Sequence, residues 1–99
     1  MVDLSKMNNY ADAWKSCFST WPDNLAKQGI LVTSFDEQIP FAGFLTSDTF
    51  LLVDRKTPDS LGARTVILPY GNITGLKLTD VVDQKVFRAV GFEGSLKKR

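Results

Sequence analysis

The side chains able to do chemistry are few and scattered. The chain has one cysteine, Cys17, and no histidine, which removes every Ser-His-Asp and Cys-His arrangement and leaves carboxylates, lysine and tyrosine to move a proton. It also leaves no zinc, copper or non-haem iron ligand set that one chain can assemble, and a lone cysteine closes no internal disulfide. Asp36 and Glu37 are adjacent carboxylates, but neighbours in a turn point apart, so the pair is expected to be a solvated turn. Asp48, Asp54 and Lys77 are the remaining candidates for a catalytic pocket, and their spacing describes none. Asn72-Ile73-Thr74 matches the glycosylation acceptor pattern, which has meaning only in an exported chain. The glycines at 62, 71 and 75 are too scattered to cradle a phosphate. No enzyme, metal or cofactor is expected. Tyr70 offers chemistry of another kind, since a ring in a turn can stack on a nucleobase, whereas a half-buried strand-end tyrosine would only hold its hydroxyl in water.

Composition limits the frame that must position these groups. At 99 residues there is room for one core and so for one domain, residues 1–99. Hydrophobic residues make up 43% and charged residues 23%, ordinary for a soluble globular chain and unlike a disordered, collagenous or coiled-coil one. The apolar runs are too short to span a membrane, and the opening Met1-Val2-Asp3-Leu4-Ser5-Lys6 does not resemble a secretory signal. A cytoplasmic protein with no membrane partner is expected. The net charge of +1 advertises no polyanion as a partner. The one basic cluster, Lys97-Lys98-Arg99, reads as a solubilising tail or, alternatively, as a phosphate contact.

Periodicity supplies the elements. Tyr10, Ala11, Trp14, Cys17, Phe18 and Trp21 share one helical face, predicting an amphipathic helix over 9–20 with Asn9 as N-cap, Asp12 in the first turn and Pro22 near its end. Cys17 on that stripe is expected to be a small buried hydrophobe. Residues 22–29 look like a short helical turn. From Ile30 the period falls to 2, predicting strands over 30–35, 38–46, 50–54, 65–68 and 73–78. Turns are expected at Asp36-Glu37, at Ser47-Asp48-Thr49 and at Pro69-Tyr70-Gly71-Asn72, with a polar loop over 55–64. Ile39, Phe41, Gly43 and Leu45 would share a face, and Pro40 calls for an edge or strand-start position. Ile73 and Leu76 face the same way only if Gly75 permits a bulge. In the 79–99 extension, Asp80, Val82, Asp83, Val86, Phe87, Val90 and Gly91 suggest a helix over about 81–90, while the run of valines leaves a strand open.

One helix before five short antiparallel strands, with Gly43-Phe44-Leu45, Asp48 and Gly71-Asn72-Ile73-Thr74-Gly75-Leu76, resembles the Sm-like family of small barrels that includes the bacterial Hfq RNA chaperone. The resemblance covers residues 30–78. It implies a mainly β fold, a strongly bent Sm-like or SH3-like five-stranded barrel with flanking helices, in which a second-strand glycine avoids a clash at the bend. It also implies rings and single-stranded RNA binding through Asp48, Thr49, Tyr70 and Asn72. The chain departs from the family at the base-reading positions, because no asparagine follows Asp48 where expected and Tyr70 stands where an arginine precedes the glycine.

Two functions follow. The preferred one is a non-enzymatic interaction or scaffold module that associates with itself through strand edges or docks on another protein. The alternative is a ring-forming, Sm-like RNA-binding protein.

Overall fold

The computed structural model describes residues 10–96; Asn9 and Lys97-Lys98-Arg99 lie outside the described residues. The aromatic stripe forms α1 (Tyr10–Ser19), with Asp12 in its first turn where the helix dipole favours a carboxylate. The Thr20 hydroxyl and N–H both donate to the Ser16 carbonyl, at 2.7 and 3.0 Å, as the helix ends. The following segment is a single turn over 22–25, shorter than the expected helical turn reaching Gly29. Leu25 N–H donates to the Pro22 carbonyl at 3.1 Å, and the Trp21 indole N–H donates to the Leu25 carbonyl at 3.0 Å, so the indole holds the segment in place of a helical ladder.

Five strands follow: β1 (Gly29–Thr33), β2 (Gln38–Thr46), β3 (Phe50–Arg55), β4 (Thr65–Pro69) and β5 (Ile73–Lys77). They form one antiparallel sheet in the order β4-β3-β2-β1-β5, and a single 3-10 turn, Tyr70–Asn72, joins the two edge strands. Gly29 is demanded by packing, since a Cβ there would lie 2.6 Å from the Lys77 carbonyl oxygen.

Two bulges interrupt the ladders. Phe41 pairs with Arg55 but Phe44 with Val53, so β2 carries one extra residue between them. The expected face therefore holds only as far as Phe41. Beyond the bulge Phe44 turns inward and Leu45 outward, at 67% exposure. Gly43 answers to no clash, because a Cβ there would meet Asp54 at an ordinary 3.9 Å. The second bulge is where the Ile73 and Leu76 spacing asked for one. Val32 pairs with Gly75 and Thr33 with Ile73, leaving Thr74 as the extra residue. Its hydroxyl donates to the Thr33 and Val32 carbonyls at 3.1 and 3.3 Å. Pro40 sits inside a central strand, against expectation. Its carbonyl accepts from Lys56 N–H at 3.1 Å, one residue past the end of β3, so the missing N–H breaks no ladder bond.

Phe44 is the hub of the core. Phe18 and Trp21 meet its ring edge-on, with centroids at 5.0 and 5.1 Å, and stack on each other at 5.6 Å. Leu31, Ile39, Phe41, Leu51 and Val53 lie fully buried in the same core. The last element, α2 (Gln84–Ala89), settles the 81–90 segment as a helix that starts later than expected. Asp83 caps it by accepting from Lys85 N–H at 3.0 Å, whereas the Asp80 carboxylate accepts from Gln28 Nε2 at 2.6 Å. Only Val86 of α2 is buried.

Candidate functional site

The β2–β3 turn gathers three of the four residues marked for RNA. Ser47 closes the turn by accepting from Phe50 N–H on its hydroxyl at 2.9 Å. Its carbonyl accepts from the Tyr70 hydroxyl at 2.9 Å, which draws Tyr70 into the core at 3% exposure. The expected half-exposed tyrosine is thus a buried strut under the turn, and its ring faces side chains rather than solvent. Asp48 pairs with Lys15 of α1; the ammonium holds the carboxyl below its usual range and the carboxylate holds Lys15 above its own. Thr49 is exposed on the turn. Asn72 lies apart, half-buried beside the β1–β2 turn, where its carbonyl accepts from Ser34 N–H at 2.8 Å.

A groove of about 490 Å³ runs between α1 and the C-terminal segment, walled by Trp14, Trp21, Leu76, Leu78, Phe87 and Leu96. Cys17 borders it and is exposed, a correction to the buried position expected of it. The helix is rotated so that Phe18 faces the sheet instead. Partial desolvation pushes the Cys17 thiol up from its ordinary pKa, which disfavours the reactive thiolate. The outer wall is held by its own contacts. Gln84 bonds Leu96 N–H and the Leu96 carbonyl, both at 3.0 Å, and Arg88 Nη2 donates to the Gly94 carbonyl at 3.0 Å.

The sheet edges form the third candidate. Arg55 N–H donates to the Arg64 carbonyl at 2.8 Å, and with the β3–β4 register this fixes the alternation of the ladder. Val66 and Leu68 bond inward to β3, so Thr65 and Ile67 turn N–H and C=O to the free edge, and Pro69 turns out only C=O. No residue of β4 is charged. On the outer face Leu45 stands opposite Leu52, and Leu52 opposite Ile67. Leu45 and Ile67 are 67% and 61% exposed, and Phe50 opposite Pro69 adds a further exposed ring. An apolar row thus crosses three strands and ends at an edge that, among the described residues, no strand pairs. A strict period of two over β2 turns Leu45 inward and hides this row; the three-residue spacing of Phe41 and Phe44 is the signal of the bulge that turns it out. The β5 edge is interrupted at Thr74 and carries the exposed Lys77.

Among the described residues no three His, Cys, Asp or Glu side chains cluster so as to hold a metal ion, and no helix is long and apolar enough to cross a membrane. Comparison with protein-family models, curated proteins and solved structures finds no match for the chain.

Proposed function

We propose that the chain is a non-enzymatic interaction or scaffold module with an Sm-like bent sheet, and that it associates with itself through its strand edges. The observation that carries this reading is the β4 edge, which is regular, uncharged and continuous with an apolar row of exposed Leu45, half-buried Leu52 and exposed Ile67. Edges of that kind are templates for another strand unless they are charged, bulged or covered. The helix followed by five antiparallel strands supports the Sm-like part of the reading. Burial of Tyr70 takes away the aromatic platform on which the RNA alternative leaned. Light scattering at tens of micromolar tests the proposal. A particle of more than one copy is expected, and a mass of 11.0 kDa overturns it. Labelled oligo-U at about 150 mM salt should not bind at tens of micromolar; submicromolar binding would favour the RNA alternative.

A further inference from the structure

We propose that two copies pair β4 against β4, antiparallel about a two-fold axis at Ile67, and so close into a dimer. This rests on the self-association reading and names its surface and its symmetry. The backbone supplies the first argument. Ile67 turns both N–H and C=O to the free edge, so an Ile67–Ile67 pair exchanges two hydrogen bonds. Two residues on, Thr65 N–H reaches the outward carbonyl of Pro69 of the partner subunit. Proline lacks only the N–H that would have answered the Thr65 carbonyl, which water can serve at the strand end. Every outward N–H of β4 is then satisfied.

Side chains select this register. With the axis at Ile67 the row Leu45-Leu52-Ile67 continues into the same row of the partner subunit, giving six apolar side chains in line. Moving the axis to Val66 would set Ile67 against Thr65 and then Asp54, running the apolar row into a carboxylate. One face wants one register. Charge agrees. Arg64 and Asp54 flank the Thr65 end of the strand, and antiparallel pairing sets that end beside the uncharged Pro69 and Phe50 end of the partner subunit, so neither charge meets its own copy. A head-to-tail contact of β4 with β5 fits less well, because the Thr74 bulge breaks the spacing of outward groups on β5. One pair of edge strands and one apolar row lie at the small end of interface sizes, below about 1,200 Å². The dimer should therefore dissociate on dilution.

The test uses the full chain with Cys17→Ser to remove the native thiol. In an Ile67–Ile67 pair the Cα atoms stand ~5.5 Å apart, within disulfide reach, so Ile67→Cys should link to itself on mild oxidation. Thr65→Cys should not, since its copies lie four residues out of register, ~13 Å. Ile67→Lys should give a folded monomer of unchanged circular dichroism, because Ile67 is a solvent-facing residue of each isolated copy. Mass in solution separates the two levels of the argument. A concentration-dependent dimer with selective Ile67→Cys linkage supports the proposal. A monomer at all concentrations overturns both it and self-association. An assembly larger than two copies, or linkage at Thr65→Cys in preference to Ile67→Cys, overturns the two-fold at Ile67 and leaves self-association standing.

Discussion

The edge strands β4 and β5 are alike in length, five residues each, and each ends the sheet on its side. They differ by one residue. In β5 the extra Thr74 breaks the alternation of outward groups and ties its hydroxyl to β1, while Gly75 offers no side chain. In β4 the ladder is regular to Pro69 and its outer neighbour is an apolar row. A bulge protects one edge, and the other is left able to receive a strand. Edge chemistry is thus set less by composition than by whether the hydrogen-bonding groups keep a period of two.

Substitutions can break or sharpen that contrast. Phe44→Ala should have the largest effect, about 3–5 kcal/mol, by opening a cavity where Phe18, Trp21 and Phe41 converge. That is a large part of a small domain's stability, so both edges would be lost, and urea unfolding within 1 kcal/mol of the parent would show that Phe44 is no hub. Gly29→Ala should cost about 1–3 kcal/mol and act on one side only, because the added Cβ meets the Lys77 carbonyl at 2.6 Å. Amide exchange should then loosen β5 and leave the β3–β4 ladder protected; equal loss on both sides would contradict it. Thr74→Val should cost about 0.5–1.5 kcal/mol, the net value of a hydroxyl hydrogen bond, and a melting temperature at or above the parent's would mean the hydroxyl does not secure the bulge.

The smallest effect concerns pH on the β4 side. Asp59 holds the β3–β4 loop by accepting from Leu61 N–H at 2.8 Å and Ala63 N–H at 2.9 Å, and these bonds hold its carboxyl below the usual range. A depressed carboxyl contributes stability above its unfolded pKa of ~3.9 and loses it as pH falls through the lower folded value. Asp59→Asn keeps an acceptor without the titration. Its melting temperature should fall less than the parent's between pH 5 and pH 2, and parallel curves would remove Asp59 from the acid response.

Much of the fold was legible because burial on one face imposes a period. β2 and the turn after it were expected where they lie, since Gln38–Thr46 is long and bounded by turn formers. The spacing of Ile73 and Leu76 revealed one bulge, and the same spacing at Phe41 and Phe44 marked the other, although Gly43 drew the eye to a clash that does not exist. The marked site fared differently. Asp48 and Thr49 lie on the expected turn, but Tyr70 left the surface for a carbonyl 23 residues away in sequence, a contact with no local signature.

Local patterning in the chain decides that residues 10–19 are helical, that five β segments follow, and where most turns fall, because backbone propensity and side-chain alternation act over a few residues. Tertiary packing alone decides which side of the helix is covered, Phe18 rather than Cys17. It also decides which edge stays regular. That depends on registers between strands distant in sequence, and a shift of one residue exchanges the buried face for the exposed one.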